Sequence, residues 1–174
     1  MQETAEQYIA RILSHLEGGD PIQSLAATPS KLRELFHGVT TSDARRRPSP
    51  EKWSATEILA HLCDVEIAVG FRVRYVLGSD DGVPIVPFDQ DRWLTAMNYN
   101  EREVGQSLDA FEAARKNSLV LYRSLSEAQW NKFGMHQERG KETVRHIVTL
   151  CAGHDINHLR QIEQILGRRV AAAS

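Results

Sequence analysis

Apolar residues recur at intervals of three and four through most of this sequence, and that helical period constrains its fold more than any other feature. The alternation of apolar and polar residues that marks a half-buried strand is nearly absent. The pattern is clearest after Ser54, where one stripe contains Ile58, His61, Leu62, Val65, Val69, Val73 and Val76. The sequence therefore predicts an all-α fold of amphipathic helices.

Capping and breaking residues set the expected helix boundaries. Ser54-Ala55-Thr56-Glu57 is a capping box that starts the second long helix, and Gly78 ends it. Asp20-Pro21 and Thr28-Pro29 both have the form of an N-cap followed by proline at the first helical position. The expected helices cover about 5–16, a short segment after Thr28, 54–77, about 101–125 and about 141–166, with a short helical piece from residue 126.

The stretch between Gly78 and Trp93 is expected to be a long loop, because glycine, aspartate and proline oppose regular structure there. The helices and this loop fit a four-helix bundle with a long crossover connection, in which helices adjacent in sequence need not be neighbours in space. The chain has 174 residues, and two domains would be cramped at that length. We therefore expect one domain spanning residues 1–174.

Charge and composition exclude several classes of function. The 21 Lys and Arg residues are balanced by 23 Asp and Glu, so the cationic patch that nucleic-acid binding needs is not expected. No apolar run is long enough to span a membrane. The acidic segment Met1–Glu6 lacks the apolar core of a signal peptide. Two cysteines give no disulfide framework, which favours a reducing cytoplasm.

Three histidines replace hydrophobes on faces that should point into the bundle. His154 and His158 are four residues apart on the last helix, so both rings project from one face a turn apart. His61 interrupts the stripe of the second long helix. Buried polar groups without partners are costly, and a shared metal ion would give all three rings one purpose. The alternative is that they are core or interface histidines with satisfied hydrogen bonds.

Three neutral nitrogen ligands suit a divalent transition metal, whereas calcium and magnesium prefer oxygen. Zinc and nickel are the first expectation, and iron or manganese would also be accepted. Three protein ligands leave positions open for water or substrate, as in catalytic metal sites.

Two segments resemble the DinB/YfiT-like superfamily. Trp53–Glu66 is similar to a helix start of the form WS..E.l.Hl.d.E, and Gly153–Ile162 to a late helix of the form gHd..H..qI. The resemblance implies a four-helix bundle, a homodimer and a metal ion bound by His61, His154 and His158. It also implies a class of reaction, since relatives include S-transferases that use bacillithiol or mycothiol and a mycothiol-dependent maleylpyruvate isomerase.

Other residues are weighed against plainer roles. Gln161 faces the same side as His154 and would orient a ligand histidine or a bound water, or simply pack between helices. Asp64 would be a partner of His61 or a surface residue. Arg115 would contact an anionic substrate or lie at the bundle edge. Cys151 would be an added ligand or a small buried residue. His136 is expected at the surface, although it is the first further candidate for the site because its loop precedes the last helix. Trp53, Trp93 and Trp130 are expected to be loop anchors.

The hypothesis that follows is a metal-dependent thiol S-transferase or hydrolase acting on a small molecule. A thiol cosubstrate or a water molecule would take an open metal position and lose a proton there. The electrophile would lie under the 78–93 loop, and no protein nucleophile is needed. The alternatives are a metal-binding, stress-associated dimer without turnover and a bundle that binds no metal.

Overall fold

Four long helices form the bundle: α2 (Pro21–Phe36), α4 (Ala55–Leu77), α6 (Val104–Ser124) and α8 (Val144–Leu166). The computed structural model describes residues 3–169, so Met1 and Gln2 of the acidic N-terminal segment lie outside the described residues, as do residues 170–174. The shorter elements are α1 (Ala5–Ser14), α3 (Thr41–Arg45), β1 (Val83–Ile85), α5 (Gln90–Ala96), a 3-10 turn (Tyr99–Glu101), α7 (Glu127–Asn131), β2 (Phe133–His136) and β3 (Gly140–Thr143).

The bundle helices are not neighbours in the order of the sequence. Helix α4 packs against α6 and α8, and α2 packs against the same two helices. Helix α1 lies along α8 outside the bundle. The predicted all-α bundle with a crossover is confirmed, and its connectivity makes α4 and α8 direct neighbours.

The capping signals of the second long helix are confirmed by its hydrogen bonds. The Ser54 hydroxyl accepts from the Glu57 N–H at 3.1 Å, and the Glu57 carboxylate accepts from the Ser54 N–H at 2.8 Å. Gly78 caps the other end of α4. Gly167 closes α8 with a φ of 63°, in the left-handed region that glycine tolerates.

The prediction of a second helix start at Thr28-Pro29 was wrong. Helix α2 begins at Pro21 behind the Asp20 cap and runs through Pro29 without a break. Its buried face continues across this point with Leu25 and Leu32, which are both fully buried. Packing of that face against α6 and α8 therefore overrides the local signal for a helix start.

The expected loop between Gly78 and Trp93 contains one strand and the start of a helix, and a small sheet that the sequence pattern did not indicate is added to the bundle. Strand β1 pairs in parallel with β2, and β2 pairs antiparallel with β3. Strands of three or four residues are too short to show alternation in the sequence. Strand β3 occupies the expected start of the last helix, so α8 begins at Val144.

A layer of buried charge divides the bundle core. One apolar cluster lies beside it around Val69, Leu119 and Val148, and the other around Leu62 and Phe111. Between these clusters lies Arg115, with a side chain about 1% exposed, which makes the expectation that it lies at the bundle edge wrong.

The Arg115 guanidinium contacts all three other bundle helices. Its Nε donates to Glu66 on α4 at 2.8 Å, and its Nη1 donates to Asp155 on α8 at 2.7 Å and to the Leu25 carbonyl on α2 at 2.9 Å. Two carboxylates hold the pKa of Arg115 above its usual value despite its burial. This cation therefore fixes the four helices at one level of the bundle.

Replacing Arg115 by methionine is expected to destabilise the fold by about 3–5 kcal/mol, because it leaves the Glu66 and Asp155 charges buried without a cation. Arg33→Met is the matched control, since Arg33 also bridges two carboxylates but at the surface. The control is expected to cost about 1 kcal/mol or less. Urea unfolding measures both values, and equal losses in the two variants would contradict a central role for the buried cation.

Candidate metal centre

The three histidines singled out in the sequence lie together at the contact between α4 and α8. The Nε2 atom of His154 is 3.1 Å from Nε2 of His61 and 3.1 Å from Nε2 of His158. One ligand atom from each ring lies within 4.8 Å of the other two. Neighbouring helices and the four-residue spacing thus direct three nitrogens to one point.

The three Nε2 atoms do not have enough N–H groups to hydrogen-bond to one another. The Nδ1–H of His158 donates to the Gln161 side-chain oxygen at 2.8 Å, so its Nε2 carries only a lone pair. The Nδ1 atoms of His61 and His154 are buried without a hydrogen-bond partner among the described residues. All three rings are buried, with exposed fractions of 1%, 9% and 8% in chain order.

This donor set fits a metal ion better than it fits a hydrogen-bonded cluster. A neutral imidazole has one N–H, and His158 uses its own on Gln161. If His154 donates from Nε2 to His158, it has no lone pair left on that atom for His61. One cation at the shared point would instead accept a lone pair from every Nε2, and Gln161 would then hold the tautomer of His158 that binds.

Electrostatics keep these rings in the form that binds metal. Burial, with the charge of His158, lowers the pKa of His61 to about 3, and burial lowers the pKa of His158 to about 4. The pKa of His154 lies well below its usual value, because the ring is buried beside the other two. All three imidazoles are therefore neutral near pH 7, as ligands must be.

Trp53 forms a wall of the histidine cluster. It immediately precedes the Ser54 cap, which fixes its position at the start of α4. Its ring meets His61 edge-on, with 5.0 Å between ring centroids, and lies parallel to His158 at 6.4 Å. It was predicted only as a loop anchor, and nothing in the sequence pattern shows that it also covers two of the histidines.

Two cavities reach the histidine cluster, and each is lined by different histidines. One has a volume of about 630 Å³ and is lined by His61 and His154, and by Phe88 from the segment before α5. The other has a volume of about 590 Å³ and is lined by His158, Gln161 and Trp53. Volumes of this size admit small organic molecules. The cluster is thus accessible to a small-molecule reactant despite its burial.

Several expected site residues lie elsewhere. The Asp64 carboxylate binds Arg102 through both oxygens, at 2.9 and 2.8 Å, which contradicts the alternative in which Asp64 is a partner of His61. Arg115 is occupied by the ion cluster of the core. His136 was expected at the surface but is only 3% exposed, because β2 carries it into the wall of the larger cavity. Cys151 lines that cavity as well.

Comparison with known proteins identifies the family. The model of the DinB superfamily matches residues 24–162, which include all three histidines. The chain belongs to the DinB superfamily. It is 21% identical over 142 residues to a protein of Oceanobacillus iheyensis named as a candidate metal-dependent hydrolase, covering 82% of this chain and 81% of the relative.

A solved structure shows the same fold as this DinB-superfamily chain. YfiT from Bacillus subtilis, described as a probable metal-dependent hydrolase with an unusual four-helix bundle topology, has a TM-score of 0.76 at 19% identity. The match covers 97% of this chain and 92% of YfiT. Every helix within the described residues is too short or too polar to cross a lipid bilayer.

The stability of the metal-free protein is expected to fall as the pH drops below about 6.5. Unfolded histidines have a pKa near that value, whereas those of His61 and His158 are about 3 and about 4 in the fold. Between these values protons bind only the unfolded chain and favour it. Each ring adds a slope of up to about 1.4 kcal/mol per pH unit.

Urea unfolding of chelator-treated protein, between about pH 7.5 and pH 5, measures this slope. The double variant H61Q/H158Q is expected to have a clearly shallower slope. His37→Gln is the control, because His37 is exposed, and it should leave the slope unchanged. A double variant with the wild-type slope would mean that these rings are not held neutral by the fold.

Proposed function

We propose that this chain is a metal-dependent hydrolase in which His61, His154 and His158 bind one divalent transition-metal ion through their Nε2 atoms. The observation that carries the proposal is the convergence of three buried, neutral imidazoles on one point with too few protons to satisfy one another. The names of the two relatives support it. Zinc or nickel is the expected ion, with iron or manganese as further possibilities.

An ion at this site would lower the pKa of a bound water to about 7 and so supply a nucleophile at neutral pH. The other residues around the cluster hold the ligand histidines in place and shield them. Gln161 holds the His158 ring by its Nδ1–H, and Trp53 shields the cluster from one side. The larger cavity would hold a small substrate beside His61 and His154.

The chain's two thiols are poor nucleophiles. Burial raises the pKa of Cys63 to about 12 and holds that of Cys151 well above its usual value. Both are free and buried, and both are protonated at neutral pH, whereas the thiolate is the reactive form. A nucleophile supplied from solution fits these residues better than one supplied by the protein.

Thiol S-transfer is the second candidate, and the two cavities favour it. A transferase needs a thiol and an electrophile at one centre together. The second cavity, at His158 and Gln161, provides room for another reactant beside the cluster. In this version the ion held by the three histidines would activate a low-molecular-weight thiol in place of water by favouring its thiolate form.

The homodimer, the single domain and the cellular location are further proposals for this chain. The outer face of α4 exposes Ile67, Phe71 and Tyr75 at four-residue intervals, and a second copy of the chain would cover them in the expected homodimer. A single domain over 1–174 and a cytoplasmic location also stay predictions. A metal-binding, stress-associated dimer without turnover is the non-catalytic alternative.

Elemental analysis of protein purified without a histidine tag tests the metal. We expect about one transition-metal ion per chain in the wild type, and loss of nearly all of it in His154→Ala, because two remaining imidazoles bind weakly. His37→Ala is the matched control and should keep the ion. A metal-free wild type that folds normally would overturn both metal-dependent proposals.

Activity assays then separate the candidates. The metal-loaded protein is incubated with a panel of small esters and amides. In a separate assay it is incubated with bacillithiol, mycothiol or glutathione together with monochlorobimane. Hydrolysis that disappears in His154→Ala supports the hydrolase, and thiol conjugation that disappears supports the transferase. A loaded protein that turns over none of them would favour the non-catalytic alternative.

Replacing Gln161 by leucine is expected to weaken metal binding by about 10–100-fold, because His158 loses the acceptor that fixes its tautomer. Gln164→Leu is the matched control, since Gln164 lies on the same exposed helix side without a hydrogen bond to the cluster. Competition against a chromogenic chelator measures both affinities. Equal affinities in the two variants would contradict the role given to Gln161.

A further inference from the structure

Arg72 lies in the wall of the larger cavity without a carboxylate partner. It follows His61 by eleven residues on α4, which places it within about 20° of the same face and about 16 Å along the helix. Its Nη2 donates to the Val86 carbonyl at 3.2 Å, and its guanidinium lies 5.9 Å from the centre of the Phe88 ring. Within residues 3–169 no carboxylate forms an ion pair with it.

The other charged groups of this cavity are mostly paired. Arg139 binds the buried Glu142 carboxylate at 2.7 and 3.2 Å. Glu3 pairs with Arg11 at 2.8 Å. Asp89 caps α5 and lies 3.4 Å from Arg92. Glu138 is the remaining acid of the wall, and its charge acts on His136. Arg72 is therefore an arginine of this wall that no carboxylate of the described residues contacts, although the Glu142 charge acts on it from a distance.

His136 adds a neutral donor to the same wall. Its Nδ1 accepts the Glu138 N–H at 3.2 Å, so the ring proton is on Nε2. Burial and the charge of Arg139 lower the pKa of His136, which keeps the ring neutral. Its Nε2–H has no hydrogen-bond acceptor among the described residues. An acceptor from a bound molecule would satisfy it.

The surface between these donors and the histidine cluster is apolar. Val65 and Val69 on α4 and Ile147 and Leu150 on α8 line the cavity. A molecule that fills it would place an apolar body along these residues. Arg72 supplies one positive charge to the cavity. That charge matches the single negative charge of a carboxylate better than the double negative charge of a phosphate.

We propose that this cavity binds organic acids with an apolar body, and that the Arg72 guanidinium binds their carboxylate with the His136 Nε2–H as a second donor. The proposal rests on the proposed function only in taking the three histidines as the reacting end of the site. It assigns the substrate class: a monoanionic carboxylic acid whose reactive bond lies several bonds from its carboxylate.

A matched pair of probes tests the subsite. Binding of 4-phenylbutyrate and 4-phenylbutyramide to the metal-loaded protein is measured by titration calorimetry. We expect the acid to bind the wild type at least about tenfold more tightly than the amide, because a charge-assisted hydrogen bond contributes that much. Arg72→Met should remove the preference, and Arg72→Lys should keep part of it.

Arg74→Met is the control, because Arg74 is an exposed arginine on the same helix whose guanidinium donates to the Gly70 carbonyl and does not line the cavity. It should keep the full preference for the acid. Equal binding of the two probes to the wild type, or no measurable binding of the acid at millimolar concentration, would overturn the proposal. So would a preference that survives in Arg72→Met.

The same pair is measured on His154→Ala, with His61→Ala as a second variant and circular dichroism as the check of folding. We expect the preference for the acid to persist in both, since the carboxylate binds Arg72 and not the ion. A preference that disappears with the histidines would place the carboxylate on the metal and overturn the subsite. If the wild type holds no metal but prefers the acid, only the proposed function fails.

Discussion

The buried ion cluster around Arg115 is the interaction on which the rest of this structure depends. It divides the core into two apolar parts and contacts α2, α4 and α8 from α6. A guanidinium without partners would be expelled from such an interior. The cluster therefore constrains which helices lie side by side and at what height.

The histidine cluster follows from that constraint. Asp155 binds Arg115, and the next residue toward the N-terminus is His154; on α4, His61 lies five residues before Glu66. Holding Asp155 and Glu66 against one guanidinium brings these stretches of α4 and α8 to the same level. The buried charge is thus a positioning device for the imidazoles as well as part of the core.

The proposed chemistry and the proposed subsite use the same physical principle. A polar group that the protein does not fully satisfy is a place for something else to bind. Three imidazoles short of protons favour a cation at one end of the larger cavity, and a guanidinium without a carboxylate favours an anion further along α4. The apolar residues between them give the cavity the character of a site for a small amphipathic molecule.

Sequence patterns predicted the bundle, the α4 boundaries and the three histidines, because periodicity and capping are local properties. They failed where tertiary contacts decide. Thr28-Pro29 has the form of a helix start, yet packing carries α2 through it. The helical stripe of α6 does not show that Arg115 pairs with Glu66 on α4 and Asp155 on α8. His136 and Trp53 are brought to the site by a short hairpin and a loop, for which the sequence has no periodic signal.

A crystal structure of the metal-loaded protein, with anomalous scattering data at the absorption edge of the bound metal, tests whether the three histidines bind one ion. We expect one anomalous peak at about 2.0–2.2 Å from the Nε2 atoms of His61, His154 and His158 together. A peak bound by other residues, or three ring nitrogens hydrogen-bonded to one another with no peak between them, would contradict that expectation.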